Sequence, residues 1–82
     1  MVILKKIKKE NNIISVVYFP DVDDNDMGTI QYDIELGEVI HFSYCKTDEQ
    51  SYLQAYFHKA VRAIEKMIEN NEFPEEYIYS WY

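Results

Sequence analysis

The stretch DEQSYLQAYFHKAVRAIEKMIEN, residues 48–70, decides the fold. Placed at about 100° per residue, its apolar side chains form one stripe along a helix, and charged and amide side chains fill the opposite side. The stripe consists of Leu53, Phe57, Ala60, Val61, Ile64, Met67 and Ile68. Thr47 and Gln50 have the spacing of a capping box at a helix start, and Pro74 forbids easy continuation past the end. We therefore predict one helix over 48–70, roughly 34 Å long, that packs through its apolar face.

Four runs upstream of this helix have the composition of β-strands. VILKKIKK (2–9) and NIISVVYF (12–19) are separated by turn-forming residues, which predicts a hairpin. TIQYDIEL (29–36) alternates between apolar and polar residues, and EVIHFSYC (38–45) returns after Gly37, which predicts a second hairpin. Alternation along 38–45 predicts that Ile40, Phe42 and Tyr44 share one face. Lysines on both faces of the first strand suit a sheet edge, whereas the second strand is apolar on both faces and suits the interior.

The last ten residues, FPEEYIYSWY (73–82), carry five aromatic side chains and are too apolar for a loose tail. We expect them to dock as a fifth strand or a short helical turn. The chain as a whole is then predicted to be a single α+β domain over 1–82. An antiparallel sheet of about four strands, in two hairpins, packs against one long C-terminal helix.

The composition is that of a folded chain, with 48% hydrophobic and 16% aromatic residues. No apolar run approaches the roughly 18 residues that a membrane span requires. The lone Cys45 cannot form an intramolecular disulfide, and the N-terminus lacks the pattern of a signal peptide. We expect a soluble cytoplasmic protein, and the residue usage, rich in Lys, Asn, Ile and Glu, suggests a bacterial source.

The net charge of −7 would repel a polyanion, so we expect no nucleic-acid partner. Asp21, Asp23, Asn25 and Asp26 place oxygen ligands as an EF-hand calcium loop begins, but neither register supplies both the glycine and the terminal glutamate. The acidic loop, with Asp21, Asp23, Asp24 and Asp26 as its weak candidate residues, is therefore predicted to be exposed and free of tightly bound metal.

The sequence offers no catalytic set. His41, Ser43 and Cys45 would project from one strand face about 7 Å apart, too far for contact between a nucleophile and a base. No histidine and cysteine spacing matches a zinc site, and two glycines cannot build a phosphate loop. We predict a non-enzymatic protein with no metal and no cofactor, in which Cys45 is a buried thiol and Asp33 and Glu35 are solvated.

The aromatic residues of the tail are the remaining candidates for function. Tyr77, Tyr79, Trp81 and Tyr82 either close one end of the core or contribute to an interface, because tyrosine and tryptophan supply much of the energy of protein interfaces. We expect an interaction or regulatory module with an unidentified protein partner, and a weak homodimer through edge pairing of the tail. The alternatives are an acidic, immunity-like inhibitor whose loop and third-strand carboxylates imitate phosphates, and a small-ligand-binding domain with an aromatic pocket.

Overall fold

The computed structural model describes residues 1–20 and 25–80. The strands are β1 (Val2–Glu10), β2 (Ile13–Pro20), β3 (Gly28–Asp33), β4 (Glu38–Ser43) and β5 (Glu76–Tyr79), and the helices are α1 (Lys46–Glu49) and α2 (Ala55–Asn70). All strand pairs are antiparallel and form one sheet in the order β4-β3-β2-β1-β5. The predicted α+β class is confirmed, with one strand more than four because the tail supplies β5.

The tail strand changes the position predicted for β1. β5 pairs with the first half of β1, from Val2 opposite Tyr79 to Lys5 opposite Glu76. The prediction that β1 lies at the sheet edge is therefore wrong for this half, since a short aromatic strand covers it. The interior position predicted for β2 is confirmed, because β1 and β3 flank it on both sides.

α2 lies on one face of the sheet, across β1, β2, β3 and β5. Its buried residues are Phe57, Ala60, Ala63, Ile64 and Met67. They pack with buried side chains of the inner strands into one core, which confirms the apolar face predicted for this part of the helix. No helix among the described residues packs on the other side of the sheet, which we call the open face. Neither described helix has the length and apolar character needed to cross a bilayer.

The predicted start of the long helix is wrong. α1 ends at Glu49 and α2 begins only at Ala55, after Gln54 in the left-handed conformation with φ of 45°. Tyr52 and Leu53 lie in the connection and are 94% and 69% exposed, so Leu53 does not pack against the sheet as predicted. The chain turns here because a side chain outside the connection satisfies the first N–H groups of α2, as described below.

The second hairpin also differs from its prediction. β3 ends at Asp33, and the Gly37 N–H donates to the Asp33 carbonyl oxygen at 2.8 Å to close the turn, with φ of 70° at Gly37. The register shifts by one residue near Val39, so Val39 shares the helix-side face with Phe42. Ile40, predicted to share a face with Phe42, instead lines a hollow on the open face.

Candidate protein-interaction site

The first turn of α2 is capped by a residue that lies outside the helix. Asp48 is fully buried and its side-chain oxygens accept the N–H groups of Tyr56 at 3.2 Å and of Phe57 at 2.7 Å. The first N–H groups of a helix lack intrahelical partners, and an aspartate side chain is a good acceptor for them. Gln54 lies at the N-cap position of α2 but its side chain makes no capping hydrogen bond. Asp48 therefore supplies the helix cap instead. This contact sets where α2 begins and holds Phe57 in place.

Asp48 is in turn held by a tyrosine of the central strand. The Tyr18 hydroxyl donates to Oδ2 of Asp48 at 2.8 Å and accepts the backbone N–H of Cys45 at 3.1 Å. Burial is the main cause that raises the pKa of Tyr18 far above its usual range, so the phenol keeps its proton and remains a donor. The network joins β2, α1 and α2 through buried polar groups that all have partners, as stable interiors require.

The position of Tyr18 depends on the glycine opposite it in β3. A Cβ atom added at Gly28 would lie 2.3 Å from Cε1 of Tyr18 and 2.6 Å from the carbonyl oxygen of Ser43. Such distances are well inside van der Waals contact, so any larger residue would displace the ring or the strand. Gly28 therefore gives the tyrosine the space to reach Asp48.

Asp26 holds α1 in the same manner. Its carboxylate accepts the backbone N–H of Lys46 at 2.5 Å, the N–H of Thr47 at 3.1 Å and the Thr47 hydroxyl at 2.5 Å. Burial alone would raise the pKa of Asp26, but these hydrogen bonds outweigh it and lower the pKa below its ordinary value. The Thr47 hydroxyl thus hydrogen-bonds to Asp26, and Thr47 forms no capping box with Gln50.

The prediction that the acidic loop is exposed is wrong at Asp26, which is 6% exposed because its oxygens are used within the fold. Asp21, Asp23 and Asp24 lie outside the described residues. The absence of tightly bound metal there remains a prediction.

Three aromatic rings meet between β4 and the start of α2. The ring centroids of Phe42 and Tyr44 are 5.0 Å apart, those of Phe42 and Phe57 5.0 Å, and those of Tyr44 and Phe57 5.1 Å. These separations are typical of favourable aromatic pairs. Phe57 is buried, yet Phe42 remains 53% exposed because α2 lies over the other strands of the sheet. We call these three residues the aromatic cluster.

Three exposed apolar side chains lie in the segments that lead into β3 and α2, one directly before β3 and two in the connection before α2. Met27 is 58% exposed, Tyr52 94% and Leu53 69%. Together with Phe42 these residues are called the end patch. Large exposed apolar patches are uncommon on monomeric proteins and often mark sites of interaction.

Of the three residues predicted to share one face of the fourth strand, two do so and Cys45 does not. His41 pairs with Gln31 on the open face, and Ser43 pairs with Thr29 on the same face, whereas Cys45 lies beyond the strand in the core. Burial is the main cause that raises the pKa of the Cys45 thiol, which disfavours the reactive thiolate. Burial of this thiol is as predicted. Over residues 1–20 and 25–80, no group of three or more His, Cys, Asp or Glu residues is placed to hold a metal ion.

The tail contributes to the fold as well as to the surface. Tyr77 and Tyr79 are half-buried and pack against the core, and Ile78 between them is 55% exposed on the open face opposite Ile3. Trp81 and Tyr82 lie outside the described residues. The proposed role of these four aromatic residues in an interface remains a prediction.

Asp33 and Glu35, which were predicted to be solvated, lie at the surface and also accept hydrogen bonds within the fold. Oδ1 of Asp33 accepts the Leu36 N–H at 3.0 Å, and Oε2 of Glu35 accepts the Asn12 side-chain amide at 3.0 Å. These contacts stabilise the β3–β4 turn and join it to the β1–β2 turn.

Sequence reasoning missed the exposed aromatic cluster and the buried network. Alternation along 38–45 grouped Phe42 with Ile40 and gave no sign of the bulge that separates them. The apolar pattern over 48–70 predicts Asp48 in the first turn of a single helix and therefore does not indicate its role between two helices. Comparison with protein-family models, with curated proteins and with solved structures found no match.

Proposed function

We propose that this protein is a non-enzymatic interaction module that binds apolar side chains of a protein partner at the end patch. The observation that supports this most directly is the state of Phe42, which is half-exposed yet in contact with both Tyr44 and Phe57. A ring that is already ordered loses little conformational freedom when a partner covers it. Aromatic residues of this kind supply a large share of the energy at protein interfaces.

The buried network below the end patch supports the same function. Asp48 fixes the first turn of α2, and this turn presents Phe57 as the floor on which Phe42 and Tyr44 rest. Tyr18 also contacts the Phe57 ring, with centroids 6.3 Å apart. The proposed binding surface thus rests on the packed core, while Tyr52 and Leu53 belong to the adjoining connection. A packed base with exposed apolar side chains suits recognition of a partner's apolar groove or helix.

The two alternative functions have less support among the described residues. An inhibitor that imitates phosphates needs free carboxylates, but those of Asp26 and Asp33 accept hydrogen bonds within the fold. A small-ligand domain needs an enclosed aromatic pocket, whereas the larger surface hollows, of about 760 and 530 Å³, are open and lined mostly by charged and polar residues.

The proposal is tested by capture experiments that compare variants. Immobilised wild-type protein, the Tyr52→Ser/Leu53→Ser variant and the Leu36→Ser control are exposed to a lysate of the cells that make this protein. Leu36 is 63% exposed at the β3–β4 turn, so its replacement removes a similar apolar side chain away from the end patch. We expect a protein that is retained by the wild type and by the control but lost by the double variant. Equal retention by all three would contradict the proposal.

A second surface is favoured by one further observation, the 55% exposure of Ile78 on the edge strand β5. No described strand pairs with the outer side of β5, so its backbone groups can pair with β5 of a second copy across a two-fold axis. This pairing is the weak homodimer expected from the tail, and it would leave the end patch free.

A further inference from the structure

The first strand contains an irregularity that changes the direction of one lysine. The register between β1 and β2 shifts between Lys5 and Lys8, and Lys6 has φ of 52°. Residues with a Cβ atom rarely adopt this left-handed conformation, because the side chain crowds the backbone. In a regular strand Lys5 and Lys6 would point to opposite faces.

The bulge places three lysines together. Lys5 and Lys8 pair with Val17 and Ser15 of β2 on the open face. Lys6 lines a hollow of about 430 Å³ on that face, together with Ser15 and Thr29. Lys5, Lys6 and Lys8 thus lie on one face of the sheet, although the protein as a whole carries a charge of −7.

The same part of β1 has a free edge. β5 begins at Glu76, opposite Lys5, while β1 continues to Glu10. In the described part of the chain no strand pairs with the outer side of residues 6–10. A hollow of about 760 Å³ lies at the start of β5 and is lined by Lys5, Lys6, Ile7, Lys8, Glu75 and Glu76.

We infer that the free half of β1 binds a short, extended acidic peptide segment, which adds to the sheet beyond β5. Its backbone pairs with the outer edge of 6–10, and its carboxylates meet the ammonium groups of Lys6 and Lys8. A nucleic acid lacks the peptide groups that such an edge recognises. Glu75 and Glu76 at the site repel any anion, but the net charge of −7 repels a long polyanion more strongly than a short peptide with few carboxylates. This site lies apart from the end patch and does not depend on it.

The binding test uses a fluorescein-labelled peptide of alternating glutamate and valine, followed by fluorescence anisotropy. The Lys6→Gly/Lys8→Ala variant removes two ammonium groups, and glycine suits the backbone conformation at position 6. Arg62→Ala/Lys66→Ala on the exposed side of α2 is the control with the same change of charge. Because surface ion pairs are individually weak, we expect the peptide to bind at least about fivefold more weakly to the Lys6→Gly/Lys8→Ala variant than to the wild type. Binding to the control should change little.

Three results would overturn the inference: no binding to the wild type, equal loss in both variants, or tighter binding of a single-stranded oligonucleotide than of the peptide. Hydrogen exchange on the wild-type protein tests strand addition even if the double variant does not fold. Slower exchange of backbone amides within residues 7–10 when the peptide is present is expected, and unchanged exchange there would overturn the inference.

Discussion

The Tyr18 hydroxyl donates a hydrogen bond to Oδ2 of Asp48 at 2.8 Å, and the same oxygen accepts the N–H of Phe57 at 2.7 Å. A strand in the centre of the sheet is thereby connected to the first turn of α2 through one fully buried side chain. Phe42 of the end patch packs on this connection, because Phe57 contacts both Phe42 and Tyr44.

Replacing Asp48 should therefore destabilise the whole fold. Asp48→Ala leaves the Tyr18 hydroxyl and the N–H groups of Tyr56 and Phe57 without their acceptor, and we expect a loss of about 3 kcal/mol in the free energy of unfolding. Urea denaturation followed by circular dichroism measures it. Glu49→Ala, an exposed change in the same short helix, is the control and should stay within about 0.5 kcal/mol of the wild type. Equal stability of the two variants would contradict the capping role.

Removing only the Tyr18 hydroxyl should have a smaller effect. In Tyr18→Phe the ring stays over Gly28, but the Cys45 N–H loses its acceptor, and we expect a loss of about 1 to 2 kcal/mol. Because Tyr18 and Asp48 share a hydrogen bond, the double variant Tyr18→Phe/Asp48→Ala should lose less than the sum of the two single losses. Additive losses would show that the two side chains act independently.

The pH dependence of stability should depend on Asp26. Its folded-state pKa lies below the ordinary value of 3.8, because three hydrogen bonds to the carboxylate outweigh the effect of burial. A depressed folded pKa stabilises the protein at pH above the unfolded value, and this stabilisation is lost as the pH falls through the folded value. Melting temperatures of the wild type and of Asp26→Asn should therefore differ most near neutral pH and converge in acid. A constant difference at all pH values would contradict the assignment.

The strands and the packed face of α2 were predictable because periods of two and 3.6 residues record which side chains are buried. The helix start at Ala55 was not, since it depends on Asp48 acting across the 50–54 connection. The structure of the tail was likewise predictable only in part. Aromatic residues indicated that 73–82 docks, but only pairing with β1 decides that Glu76–Tyr79 is a strand.

The end patch was not predictable because exposure of Phe42 depends on where α2 crosses the sheet. Exposure of Tyr52 and Leu53 depends on the break between the helices, which the continuous apolar pattern concealed.

Self-association through β5 is tested by changing Ile78. It is 55% exposed on an edge strand, so Ile78→Lys should leave the core intact while placing a charge where two copies would pair. We expect the wild type to sediment with the mass of a dimer at high concentration and the variant with that of a monomer. A monomeric wild type at high concentration would contradict the homodimer. Deletion of 77–82 is less informative, because it also removes the core contacts of Tyr77 and Tyr79.

The claim that the end patch binds a protein is tested most directly by site-specific photo-cross-linking in the cells that make this protein. A benzophenone side chain is placed at position 52, where Tyr52 is 94% exposed, and in a control protein at position 36, where Leu36 is 63% exposed. We predict a discrete adduct to another protein from position 52, absent from position 36 and reduced when Leu53 is also replaced by serine. No adduct from position 52, or the same adducts from both positions, would contradict the account.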